Sequence, residues 1–277
     1  MQRPPRGGGT SPAPVDQNTL NARLAVNRFA AFDVASIDEP NARIEFCTKL
    51  DCSSSAWVAW NEAWTTKTYT DGSKRYRVPS ATEMQLLLPP YDDANHICFS
   101  TPIDNTLRES LPEEILGGKG GDGISHFRTS SAKIAVGTDP AEAYAVYALR
   151  FLGTEQRAAY FYRWYNTGSE TDAYLAIRIK ALPDDTTCTL DAIADNAAFW
   201  SDDCIAIDLP ACGMNFSGSI LLAGASGDYW TATEGGLDPA NPARDSYAVS
   251  LTFTDSYSYV SDANKTNLFN LRMVETD

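Results

Sequence analysis

The sequence predicts an α+β fold. Three observations carry this: two capping-box helix starts in the first third of the chain, alternating apolar and polar residues over much of the chain beyond Ala132, and turn signals that join strand-like runs in pairs. Arg3 to Pro14 is rich in Pro and Gly and has no apolar periodicity, so it buries too little surface to offset its ordering entropy. Residues 1–24 are expected to be a flexible tether. Residues 25–277 are expected to form one domain with an elaboration at 132–201.

Ser36 and Glu39 form the first capping box, and Ile44, Cys47 and Leu50 recur at near-helical spacing. This spacing predicts a helix over 37–50, with Pro40 in its first turn, where a missing N–H costs little. Trp57, Trp60 and Trp64 would share a helical face, read as a packing stripe. Thr66–Thr70 and Lys74–Val78 flank Asp71-Gly72, a hairpin signal. Ser80 and Glu83 form the second capping box, Met84, Leu87 and Leu88 give an apolar face, and Pro89-Pro90 ends the helix.

From Tyr91 to Thr129 the chain reads as loop. Its Gly117–Gly123 run lacks the G-K-[ST] ending of a phosphate loop. Strands then dominate from Ala132 to Leu182. Tyr144, Val146, Ala148 and Arg150 alternate with their neighbours, and 157–165 and 173–181 flank Asn166-Thr167-Gly168. In the second of these arms Leu175, Ile177, Ile179 and Ala181 face one way. A short helix is expected over 190–200 and a strand over 204–209. Gly227-Asp228-Tyr229-Trp230 opens a terminal β region with strands near 247–253, 257–259 and 269–273.

The net charge of −14, from 22 basic and 36 acidic residues, repels phosphate backbones and argues against nucleic acid as a partner. No apolar run approaches the roughly 18 residues of a membrane helix. Met1 to Asp16 lacks the apolar stretch of a signal peptide, yet the Pro/Gly-rich start is of the kind found after a secretion or lipidation signal. An extracellular or outer-surface location is expected. The six cysteines include no C-x-x-C spacing, which argues against a zinc ribbon. Cys188 with Cys204, or Cys204 with Cys212, could pair in an oxidising compartment; six buried thiols are the alternative.

Catalytic signals are sparse. Ser130-Ser131-Ala132-Lys133 matches S-x-x-K, but no K-T-G strand accompanies it. No G-x-S-x-G occurs, and His96 and His126 stand outside any constellation.

Four motifs stand in a fixed order: Arg77-Val78-Pro79-Ser80-Ala81-Thr82-Glu83-Met84, Leu209-Pro210-Ala211-Cys212-Gly213, Gly227-Asp228-Tyr229-Trp230-Thr231-Ala232-Thr233-Glu234 and Asn270-Leu271-Arg272-Met273-Val274. Together they resemble the conserved elements of bacterial C-type lectin-like domains, over about Phe32 to Glu275. Met84 stands where that family usually has Trp, and Leu271 and Met273 replace valines. The resemblance implies two helices packed on twisted antiparallel sheets, with 132–201 as a β-rich insertion. The grouping includes surface domains, pilus-tip proteins, phage tropism determinants and formylglycine-generating enzymes. The enzymes place a Cys pair late in the fold, and no Cys comes after Cys212 here.

The expected function is therefore non-enzymatic binding of a protein or glycan at the cell surface, as in an adhesin. A formylglycine-type oxidase and a structural pilus subunit are the alternatives. In relatives used for diversified recognition the exposed terminal strands carry the contacts. The corresponding candidates are Tyr229, Glu234, Asp255, Tyr257, Tyr259, Asp262, Asn264 and Asn267, a Tyr/Asp/Asn mixture of rigid amphipathic rings and adaptable hydrogen-bonding groups. Trp230 is read as structural. No cofactor is expected. Calcium is the one ion the sequence leaves open, at Asp202-Asp203 after Trp200 and at Asp184-Asp185.

Overall fold

A computed structural model describes residues 16–47, 55–91, 97–116, 121–137, 141–166, 168, 172–183, 188–201, 203–235 and 244–276. Strand accounts for 49% and helix for 12%, so the protein is β-rich and the α+β expectation is overturned. The described helices are at most six residues long. Two helices packed on sheets, as C-type lectin-like domains have, are replaced by sheets packed on sheets.

The largest sheet is a six-stranded antiparallel meander. Asp104–Leu111, Gly121–Thr129, Val146–Leu152, Ala158–Tyr165, Tyr174–Ala181 and Ile205–Pro210 each pair with the next. Alternation sends Val146, Ala148, Tyr160, Tyr162, Trp164, Leu175 and Ile177 into the main core. Tyr147, Leu149 and Ala159 face the other side, where Ile193 and Trp200 cover them. A bulge between Leu149 and Leu152 puts Phe151 at φ 58. Arg150 and Phe151 consequently both reach the main-core side, which strict alternation forbids. Gly123 makes room for the bulge, since a Cβ there would lie 2.6 Å from the Phe151 Cα.

A three-stranded meander of Ser226–Glu234, Tyr247–Thr254 and Ser258–Asn264 forms the middle layer. Tyr229, Leu251, Phe253 and Val260 pack into the main core. Their neighbours Trp230 and Ala248 pack into a second core with Trp60, Trp64, Tyr69, Tyr76, Phe269, Leu271 and Met273. That core is backed by a five-stranded sheet of Val34–Asp38, Arg43–Phe46, Tyr69–Asp71, Lys74–Arg77 and Val274–Thr276. A smaller sheet joins Ser219–Leu221, Met214–Phe216, Leu268–Phe269 and Val58–Ala59.

The helix expected over 37–50 is two paired strands where it is described. Ser36 does not cap Glu39; its hydroxyl donates across the pair to Glu45 at 3.2 Å. Asp38 accepts from the Asn41 N–H, Ala42 sits at φ 51, and Ile37 faces Ile44 across the ladder. The expected loop over 91–129 likewise holds two strands of the main sheet. The expected capping box is present, with Ser80 and Glu83 bonding reciprocally at the start of Ala81–Gln85.

The end of that helix meets a buried charge. The Arg150 guanidinium donates to the carbonyls of Gln85, Leu86 and Leu87 at 2.6–3.1 Å, and to Glu109 through Nε at 2.9 Å and Nη2 at 2.5 Å. It lies 4.5 Å from the Phe151 ring centre and 4.9 Å from that of Tyr160. A cation here satisfies carbonyls that a helix end leaves open and complements its partial negative charge.

Arg150→Met leaves Glu109 charged and unpaired in the core. It is expected to cost about 3–5 kcal/mol in urea denaturation. Adding Glu109→Gln should recover part of that loss, and a double variant no more stable than the single would count against the pairing.

Candidate functional site

The four ordered motifs converge in the interior. Arg272 and Asp33 form a buried ion pair at 2.7 Å. Arg272 also donates to the Ala30 and Asp208 carbonyls at 3.0 and 2.6 Å. The Tyr229 hydroxyl donates to Asp33 at 2.8 Å and lies 2.9 Å from the Pro210 carbonyl. Gly227 is required because a Cβ would come within 2.2 Å of the Phe253 ring and 2.8 Å of the Pro210 carbonyl. The first motif, Arg77–Met84, docks at the same strand: Ala81 N–H donates to the Thr233 hydroxyl, and Ala232 N–H to the Pro79 carbonyl. Arg77 grips Glu83 through two 2.7 Å bonds, and Arg28 joins at 3.0 Å. Burial opposes ionisation of Glu83, but Arg77, the Ser80 N–H and Arg28 outweigh it, so its pKa lies below the ordinary value. Tyr229 is thus fully buried and belongs to this network, as Trp230 belongs to the second core.

The surface candidates divide between the two ends of the strand Ser258–Asn264. At one end, Tyr257 stacks on Tyr259 with centroids 5.3 Å apart, and Tyr91 meets Tyr259 edge-on at 4.9 Å. Tyr91 is brought there because Pro89 and Tyr91 bond Val260 on both sides, extending the sheet by one short segment. Tyr91 is 56% exposed and Tyr257 38%. The turn between the strands is fixed by the Thr254 hydroxyl, which accepts from the Ser256 and Tyr257 N–H groups.

That turn places Asp255 on a cleft of about 190 Å³ lined by Phe99, Ser100, Lys133, Glu142, Trp164 and Asn166, among others. Trp164 and Phe99 are buried and give an apolar floor; Ser100, Lys133, Glu142 and Asp255 are exposed and give a polar rim. Mixed apolar floor and hydrogen-bonding rim is the usual make-up of a small-ligand cleft. Sequence reasoning missed Tyr91, Trp164, Lys133 and Asn166. Lys133 and Asn166 carried local signals for other roles, an S-x-x-K match and a hairpin turn, and Tyr91 stood only as an aromatic directly after a Pro-Pro stop.

At the other end lie Glu234, Asn264 and Asn267. Five residues of strand at about 3.3 Å each put Asn264 about 17 Å from Tyr259. Here Lys265 bridges Glu234 at 2.5 Å and the Asp245 carbonyl at 2.7 Å, with its ammonium 4.7 Å from the Trp60 ring. Asn264 accepts from Thr266, and Asn267 N–H donates to the Asn264 carbonyl, so both asparagines shape the turn. Asp262 lies between the two ends, opposite Val249.

Ser130 and Lys133 do not meet as an acylating pair. The Ser130 hydroxyl donates to Ala132 O, and Lys133 lies over the Tyr144 ring. Cys47, Cys98, Cys188, Cys204 and Cys212 are thiols. Among the described residues no group of three or more His, Cys, Asp and Glu is placed to hold a metal ion. Asp184, Asp185 and Asp202 lie outside the described residues. No described helix is long and apolar enough to cross a membrane.

Asp228 is a buried acid with no cationic hydrogen-bond partner among the described residues. It accepts from Ser226 at 2.7 Å and Thr252 at 2.8 Å. Its position is in line with Thr252 and Tyr259 across the three strands. Burial pushes its pKa above the ordinary value, and the two hydroxyls pull only partly the other way. A raised folded-state pKa favours folding when the acid is protonated, and that contribution is lost as pH rises through the folded pKa. Asp228→Asn, which mimics the protonated acid, should therefore raise Tm at neutral pH. The difference should close as pH falls below about 4, the unfolded carboxyl range. A variant less stable than the parent at pH 7 would contradict this.

Residues 22–274 match the family described as Domain of unknown function (DUF8237). No curated protein and no solved structure matches the chain. With nearly its whole length matched, the chain belongs to this DUF8237 family.

Proposed function

We propose that the protein is a non-enzymatic ligand-binding domain of the bacterial cell surface, taking a glycan or protein at the tyrosine end of its middle sheet. The observation that supports it best is the tyrosine trio beside the cleft bordered by Asp255, with Tyr91 and Tyr257 exposed and Tyr259 half-buried between them. Stacked tyrosines offer rigid rings to the C–H face of a sugar or to an apolar side chain at small entropic cost. Asp255, Glu142, Lys133, Asn166 and Ser100 offer hydrogen bonds at the rim. The rim carboxylates and the net charge of −14 favour a neutral or basic ligand over an anionic one. The motif-level resemblance to bacterial surface domains supports display outside the cell, although their two-helix layout is not shared. Adhesion is the role that fits such a domain, alone or within a surface assembly.

Glycan arrays and panels of immobilised surface proteins supply the ligand. Tyr257→Ala and Tyr259→Ala should each weaken binding about tenfold, the usual effect of removing an aromatic anchor. Glu234→Gln, at the far end of the strand, should leave it unchanged. Full affinity in the double tyrosine variant, with an unchanged circular dichroism spectrum, would sink the reading.

A further inference from the structure

The hairpin of Met214–Phe216 and Ser219–Leu221 is apolar and uncharged in a chain of net charge −14. Phe216, Ile220, Leu221 and Leu222 are 57%, 48%, 44% and 57% exposed. No charged residue lies between Asp208 and Asp228, in a chain whose residues are 21% charged. The hairpin is preformed. Ser217 and Gly218 have φ 52 and 85, the tight turn whose twist matches paired strands, and Gly218 N–H donates to Asn215 at 3.1 Å. At its base, Gly213 allows a backbone approach that any side chain would block, since a Cβ there would sit 2.0 Å from the Leu221 carbonyl oxygen.

Ser219–Leu221 is the outer strand of its sheet, and all of its residues are exposed. Among the described residues it pairs only with Met214–Phe216. An uncovered edge bearing apolar side chains is a template for another strand.

We propose that this edge pairs antiparallel with the same edge of a second copy of the chain, joining the two sheets about a twofold axis. The open N–H and C=O groups of the strand argue against a lipid surface, because hydrocarbon cannot satisfy them. Each copy carries a net −14, so copies repel over most of their surfaces, and the charge-free hairpin is where that repulsion is least. A twofold contact is self-complementary, so pairing centred on Ile220 sets Ile220 against its equivalent and Ser219 against Leu221 of the other copy. The four side chains expose about 100 Å² each, so on the order of 400 Å² per copy is covered, about half the standard share of a stable interface. The dimer is accordingly weak and concentration-dependent.

Sedimentation equilibrium on the full chain tests this. A reversible dimer is expected, tightening several-fold from low to high NaCl because salt screens the like charges. Ile220→Asp should return the protein to monomer with an unchanged circular dichroism spectrum. If that variant misfolds, Ile220→Thr, which keeps strand preference and loses apolar area, must weaken the dimer several-fold. A monomer at every concentration and salt overturns the proposal. So does a dimer that these variants leave intact, or co-sedimentation of the wild type with phosphatidylcholine vesicles through the same residues.

Discussion

The architecture depends on the buried pair of Arg272 and Asp33, which are 239 residues apart. Taking both charges out of water is costly, and the cost is offset only where every donor finds an acceptor. Here the guanidinium reaches Asp33 and the Ala30 and Asp208 carbonyls, while Asp33 also accepts from Tyr229. These partners come from the first strand region, the last strand of the main meander and the middle sheet. The pair therefore ties three sheets to one another. It also explains how the chain closes: Val274–Thr276 lies beside Lys74–Arg77, and Phe29 bridges Val274.

With that pair in place, the middle sheet has a core on each face, and Tyr229 and Trp230 point in opposite directions from adjacent positions. Arg150 performs the corresponding task on the other side of the main core, holding the end of Ala81–Gln85 against the six-stranded sheet. The last strand of the middle sheet carries Tyr259 to the surface, with Tyr257 stacked on it and Tyr91 against it edge-on. Binding by preset rings loses less entropy than binding by a loop that must order.

Local signals were legible where the structure is locally determined. Asp71-Gly72, the Ser80–Glu83 box and the alternation over 146–152 and 174–181 all predict the elements found there. The helix expected over 37–50 is absent because Ser36 and Glu39 also suit a strand and turn, and because Ile37 meets Ile44 across a ladder rather than along a helix. The strand Asp104–Leu111 carries little signal because it is a polar edge strand whose inward Glu109 makes sense only beside Arg150, 41 residues on. The cleft at Asp255 was illegible for the same reason: its walls come from residues near 99, 133, 142, 164 and 255. What the sequence did carry was the tyrosine pair, since Tyr257 and Tyr259 fall on one strand face two residues apart.

The most direct test is a double-mutant cycle on Asp33 and Arg272, read out by chemical denaturation. Asp33→Asn and Arg272→Met each strand a buried charge and should each cost about 3–5 kcal/mol. The double variant should lose little more than the worse single, a coupling of at least about 2 kcal/mol. Losses that simply add, or single variants that stay within about 1 kcal/mol of the parent, would contradict the claim that this pair holds the layers together.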